Sequence, residues 1–163
     1  MKFKSINELE KFSFEDSEIK ELTVGNHQIA FTLSGAIVKA DNSQNKRYQD
    51  MYCGELVLQL ENTEILRVVK EGMKYYDADG KLLREVPDED VPETGQQEIF
   101  TRCAKGKIFT TVADEVKEGY AYEFGIDIPR EEDEEEIDTY WLCLRFERGI
   151  AMWDRYCSPA EGI

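Results

Sequence analysis

Histidine is almost absent from this sequence, and its scarcity excludes a good deal of chemistry. His27 stands alone among 163 residues, so any Ser-His or Cys-His mechanism has to use it. It follows Gly25-Asn26, where the chain reads as a hairpin turn, and an imidazole at a turn tip is exposed and poorly held. We read it as a surface turn residue. Cysteine is nearly as sparse: Cys53, Cys103, Cys143 and Cys157 lie 50, 40 and 14 residues apart. With no C-x-x-C pair and one histidine, the usual zinc patterns cannot be assembled, so four free thiols and no metal are expected. No apolar run approaches the ~20 residues of a membrane span. Met1-Lys2-Phe3-Lys4-Ser5 leads into charged residues without an apolar stretch of signal-peptide length, so a cytoplasmic location is expected. No G-x-x-x-x-G-K-[ST], G-x-G-x-x-G, G-x-S-x-G or H-E-x-x-H occurs, and no cofactor is expected.

Basic residues are the other deficit, with 20 Lys and Arg against 35 Asp and Glu for a formal net charge of −15. The deficit is local. Segment 85–98 holds Glu85, Asp88, Glu89, Asp90, Glu93 and Glu98 without a base, and segment 131–138 holds Glu131, Glu132, Asp133, Glu134, Glu135, Glu136 and Asp138 without one. The rest of the chain carries 22 acids against 20 bases, a net of −2. Contact with nucleic-acid phosphates or an anionic membrane calls for clustered Lys and Arg, so neither is expected as a partner. Each run reads as a solvated loop, and Glu132, Asp133, Glu134 and Glu135 are the candidates for steering a basic partner protein.

What is present is a succession of strand signals. Residues 5–12 read as a short helix, with Ser5 and Glu8 at capping-box spacing and Ile6, Leu9 and Phe12 about three apart. Segments 18–24 and 28–38 flank the Gly25-Asn26-His27 turn, and 41–45 is a loop by composition. Strands follow at 56–60, 65–69, 73–76, 81–86, 99–103 and 107–112. Asp77-Ala78-Asp79-Gly80 is a hairpin turn rather than a calcium loop, because the remaining ligand positions fall on Tyr75 and Val86. In 120–128, Tyr120, Tyr122, Phe124, Ile126 and Ile128 alternate with Ala121, Glu123, Gly125 and Asp127. The expectation is a single domain over 1–163. It is mainly β, an antiparallel sandwich or half-open barrel with one short N-terminal helix.

Strands near 139–147 and 150–156 read as a final hairpin turning at Arg148-Gly149. One face collects Tyr140, Leu142, Leu144, Phe146, Ala151 and Trp153 as core. The other collects Trp141, Cys143, Arg145, Met152, Asp154 and Tyr156. Aromatic rings beside an arginine are the usual makings of an interface, so Trp141, Arg145, Met152, Asp154 and Tyr156 are the candidate binding residues. A second core face closed by an Arg145–Asp154 pair is the alternative.

Phe14-Glu15-Asp16-Ser17-Glu18-Ile19, the hairpin running to Leu33, and Leu56-x-Leu58-x-Leu60 together resemble a group of small uncharacterised bacterial β proteins. Some of these act as immunity proteins in toxin–immunity systems. The resemblance covers about the first 60 residues, and Glu15 stands where the group usually has His. It implies a cytoplasmic, non-enzymatic binder, consistent with an immunity-type inhibitor of a basic protein. Two other readings stay open. One is a small-ligand binding β domain with a mouth lined by Tyr120, Tyr122 and Trp141. The other is a carboxylate-dependent hydrolase or isomerase, with no catalytic residue assigned.

Overall fold

The structure is a computed structural model that describes residues 1–160. Its strands are β1 (Phe3–Ile6), β2 (Phe12–Ser13), β3 (Ser17–Gly25), β4 (Gln28–Ser34), β5 (Ile37–Val38), β6 (Met51–Cys53), β7 (Leu56–Glu61) and β8 (Glu64–Lys70). These are followed by β9 (Met73–Tyr76), β10 (Leu82–Val86), β11 (Glu89–Asp90) and a helix, α1 (Glu93–Arg102). The chain closes with β12 (Lys107–Asp114), β13 (Tyr120–Pro129), β14 (Ile137–Phe146), β15 (Arg148–Trp153) and β16 (Tyr156–Pro159). The fold is mainly β, and the strand pairs are antiparallel. No helix among the described residues is long and apolar enough to cross a membrane.

Ten strands form one sheet in the order β1-β15-β7-β4-β3-β12-β13-β14-β8-β11. At its middle, β3 and β12 share only Glu18↔Lys107 and Ser17↔Ile108, and the sheet folds there. The two halves face each other: Phe31 on β4 stacks on Phe124 of β13 at 5.1 Å. The period-2 side chains of both halves meet in one core, in which Phe31, Leu33, Leu56, Leu58, Leu60, Phe124, Ile126, Leu142, Leu144 and Trp153 are fully buried. β1 and β11 end the sheet unpaired with one another, so it does not close into a barrel. β16-β6-β5-β2 form a small second sheet, and β9 and β10 a two-stranded ribbon.

The expected C-terminal hairpin does not form. β14 pairs with β13 and β8, whereas β15 pairs with β7 and β1. Glu147 alone joins them, carrying the chain from one half of the sheet to the other, as Asn62-Thr63 does from β7 to β8. These crossings are tied together, since Glu147 donates its N–H to the Glu61 carbonyl (3.0 Å) and Asn62 its amide to the Glu147 carboxylate (3.0 Å). Gly149 is a packing glycine, not a turn glycine. A Cβ there would lie 2.6 Å from Leu9 Cδ1 and 3.1 Å from the Phe146 ring.

Two helix expectations are corrected. Residues 5–12 hold the end of β1, a single 3₁₀ turn at Leu9–Lys11 and the start of β2. Ser5 and Glu8 do meet, at 2.8 Å, but the Glu8 carboxylate is engaged by the Ser43 N–H and hydroxyl, pinning the long loop rather than capping a helix. Inside that loop Asn45 donates to the carbonyls of Val38, Lys39 and Gln49. The α-helix lies at Glu93–Arg102, where a loop and then a strand were expected, and it buries Ile99 and Phe100. Segment 85–98 is therefore not one solvated loop: Glu85 belongs to β10, Glu89 and Asp90 form β11, and Glu93 opens α1.

Candidate functional site

Along β14 burial alternates strictly, with Tyr140, Leu142, Leu144 and Phe146 inward and Trp141, Cys143 and Arg145 half-buried on the outer face. The cross-strand partners of that outer row are Gly125, Glu123 and Ala121 on β13 and Val69, Arg67 and Glu64 on β8. Trp141 lies edge-on to Phe109 of β12 at 5.3 Å. Gly125 makes this possible, because a Cβ there would come within 2.6 Å of the Phe109 ring and 3.2 Å of Trp141. A glycine inside a strand, covered by aromatics from both neighbours, is the device that opens the sheet surface here. Beside the aromatic pair lies a shallow recess of about 260 Å³ lined by Arg67, Val69, Asp88, Val112, Glu123, Trp141 and Cys143.

Acidic groups ring the recess. The Trp141 indole N–H points at Glu71 Oε1 (3.4 Å), Arg67 pairs with Asp90 (2.8 Å), and Asp88 accepts the Gly72 N–H (2.7 Å). The Glu123 carboxyl is raised above its usual range. Burial is the largest cause, and Asp114 adds a hydrogen bond and its charge; the Cys143 thiol and Arg67 oppose this. The Cys143 thiol itself is pushed up to about 11, by burial first and then by Glu123, so it is no nucleophile at neutral pH. Burial pushes Cys53 and Cys103 to about 12.

The five candidate binding residues are not brought together. Trp141 and Arg145 share the outer face, with Arg145 paired to Glu64 (3.4 Å) and donating to the Glu118 carbonyl (3.2 Å). Met152 lies on β15, in the other half, between Lys4 and Val57. Asp154 accepts the Lys2 N–H (3.0 Å), so the Arg145–Asp154 pair does not exist. Tyr156 is in the small sheet, packed on Phe3 at 5.0 Å with its hydroxyl donating to the Gln44 carbonyl (2.8 Å). The mouth drawn from Tyr120, Tyr122 and Trp141 also dissolves, because both tyrosines stack on Phe146 while Trp141 faces outward. Phe109, Arg67, Glu71 and Asp114 are the members that sequence reasoning missed. Gly125 in mid-strand was the available signal.

Glu132, Asp133, Glu134 and Glu135 are exposed on the turn joining β13 to β14, at the end of the same half-sheet. The turn is organised, with Asp133 Oδ1 accepting the Glu135 N–H (3.0 Å) and Arg130 donating to the Glu136 carbonyl (2.9 Å). At its foot Asp138 is buried between Arg130 (2.9 Å) and Arg102 of α1 (3.2 Å). Burial works to raise the Asp138 carboxyl, but hydrogen bonds from Arg130 and Arg102 outweigh it together and hold the group below the usual carboxylate range. Among the described residues, no three His, Cys, Asp or Glu side chains gather as a metal site requires.

Compared with protein-family models, with curated proteins and with solved structures, the chain matches none.

Proposed function

We propose that this chain is a non-enzymatic, cytoplasmic protein-binding protein that engages a basic partner through the outer face of β8, β14, β13 and β12, as an immunity-type inhibitor would. The observation that carries the reading is Trp141, half-buried beside Phe109, with Glu71 facing its indole N–H and Asp88 and Glu123 in the adjoining recess. A rigid ring pair supplies contact area at low entropic cost, and the surrounding carboxylates select a partner rich in Lys and Arg. The acidic turn at 131–136 adds long-range attraction on the same half of the molecule. We read the architecture as a two-layered sandwich whose interior is filled by side chains, which favours surface recognition over an enclosed small ligand.

A second reading, acid–base chemistry by paired carboxylates, is favoured by Glu123, whose carboxyl is raised above its ordinary range by burial first and then by the hydrogen bond and charge of Asp114. Affinity capture from the native host's cytoplasm with the wild-type chain and Trp141→Ala tests the first reading. The expected result is a basic protein retained by the wild type, released by salt and lost with the variant. Retention of no basic protein, or equal retention by both chains, refutes it.

A further inference from the structure

The β9–β10 ribbon and the acidic turn that joins β13 to β14 project from the same end of the sheet, and a cleft of about 280 Å³ opens between them. Met73, Tyr75 and Val86 wall it on the ribbon side and Ile137 and Thr139 on the other, with Arg130 at the foot of the turn. One ribbon face supplies the first wall, because Met73 and Tyr75 are two residues apart and Val86 is the cross-strand partner of Met73. That wall is held in place. The Tyr75 hydroxyl donates to the Met73 sulfur (3.5 Å), and Arg84 lies 4.2 Å over the Tyr75 ring. Gly72 sets where the ribbon leaves the sheet, since a Cβ there would run into the Val86 carbonyl. Met73, Tyr75, Val86 and Ile137 all remain exposed, Ile137 by 51%. Large apolar side chains from two projections thus converge in solvent on one formed cleft, and none of the described residues fills it.

Size and charge indicate what does. The volume falls below the roughly 300–1,000 Å³ of small-molecule and cofactor sites, so the cleft suits a single side chain presented by a partner. An aromatic ring would meet a thioether and a phenol there, both favourable contacts. The charges of the lining cancel, Lys70 and Arg130 against Glu71 and Asp138, and Arg130 is bonded to Asp138 (2.9 Å). The excess lies on one rim. Of the acids in the turn 131–136, only Glu136 meets a cation among the described residues, Arg130 at 3.9 Å. Glu131, Glu132, Asp133, Glu134 and Glu135 stand beside the cleft without one. Glu71 joins the cleft to the face described above, because it also faces the Trp141 indole N–H (3.4 Å). We infer that the cleft receives an aromatic side chain flanked by Lys or Arg, presented by the basic partner. The ring fills the neutral, apolar cleft and the flanking cations meet the turn. That the partner is a basic protein rests on the reading above. The preference for an aromatic residue between cations belongs to the cleft itself and is measurable without that partner.

The probe is acetyl-Lys-Phe-Lys-amide, titrated into the full chain at low salt and followed by backbone amide shifts in NMR spectra. Acetyl-Lys-Ala-Lys-amide and acetyl-Glu-Phe-Glu-amide are the comparisons. Saturable shifts are expected at Gly72, Met73, Tyr75, Ile137 and Thr139, with a Kd on the order of 1 mM and at least about tenfold weaker binding of either comparison. Val86→Ser/Ile137→Ser, at two exposed positions of the lining, abolishes the binding. Leu82→Ser, opposite Tyr76 on the other face of the ribbon, binds like wild type. Glu132→Ser/Glu134→Ser/Glu135→Ser keeps the preference for Phe over Ala and loses the preference for Lys over Glu. Equal affinity for Lys-Phe-Lys and Lys-Ala-Lys, equal affinity for Lys-Phe-Lys and Glu-Phe-Glu, or no saturable shift at these residues overturns the inference. Each of those results leaves the Trp141 contact standing. Trp141→Ala is expected to bind the tripeptide like wild type, and a chain that binds the tripeptide in the cleft but captures no basic protein refutes the earlier reading alone.

Discussion

Replacing Asp138 by alanine removes the single carboxylate that holds two arginines at the foot of β14. Asp138 is 8% exposed, and its oxygens accept from Arg130 at 2.9 Å and Arg102 at 3.2 Å, while Arg102 also reaches the Tyr140 hydroxyl at 3.3 Å. Arg102 is the more buried arginine, with 16% of its side chain exposed against 36% for Arg130. Without Asp138 the Arg102 guanidinium stays largely out of water with only a phenol for company. Breaking a buried ion pair from one side costs about 3–5 kcal/mol. Arg130 can turn to solvent, so we expect the low end, about 3 kcal/mol, or roughly 6–12 °C in Tm for a chain of this length. The effect is pH-dependent with a definite sign. The folded carboxyl lies below its unfolded value, so its contribution is fully present above about pH 5. It is lost as pH falls below about 3.9 and through the lower folded value. Urea titrations of wild type and Asp138→Ala at pH 7 and about pH 3.5 measure this, and the gap should narrow in acid. Equal midpoints at pH 7, or a gap that widens on acidification, would refute the reasoning.

Gly125→Ala drives a methyl into the Phe109 and Trp141 rings, and we expect a loss of about 1–3 kcal/mol together with a red-shifted tryptophan emission from Trp141 moving into water. Thiol titration of the native protein near pH 8 should find Cys157 fast, Cys143 slow, and Cys53 and Cys103 silent until denaturant frees all four; a fast reaction of Cys53 or Cys103 contradicts their burial. In the acidic turn, Glu132→Ser/Glu134→Ser/Glu135→Ser should leave Tm within about 1 °C of wild type, because exposed charges contribute little. Adding Asp133→Ser should cost about 0.5–1.5 kcal/mol, because Asp133 accepts the Glu135 N–H.

Strand existence was legible because one buried face imposes period 2, and β3, β4, β7, β8 and β13 fall where alternation or β-branched runs placed them. Pairing was not legible for β14 and β15. Nearness in sequence favours a hairpin, but the tight packing of Gly149 on Leu9 and the registers with β7 and β13 outweigh it. The helix at Glu93–Arg102 was hidden by its composition. Two prolines and a run of acids read as loop, and Ile99-Phe100 reads as strand, while the helix signals are Glu93 in the first turn and Arg102 in the last. The facing of β14 follows from its period-2 pattern, so Trp141 and Arg145 share the outer face. Met152, Asp154 and Tyr156 were joined to them only through a strand pairing that does not form.

The proposed contact of a basic protein with the Trp141 face and its steering by the acidic turn act on different rates. The most direct measurement is stopped-flow association and dissociation of the captured partner with wild type, Trp141→Ala and Glu132→Ser/Glu134→Ser/Glu135→Ser, across salt from about 50 to 500 mM. Faster dissociation is expected for Trp141→Ala, with association nearly unchanged. Slower association is expected for the acidic-turn variant, a difference that fades as salt rises. A partner whose association is indifferent to salt, and whose dissociation ignores Trp141, would contradict both.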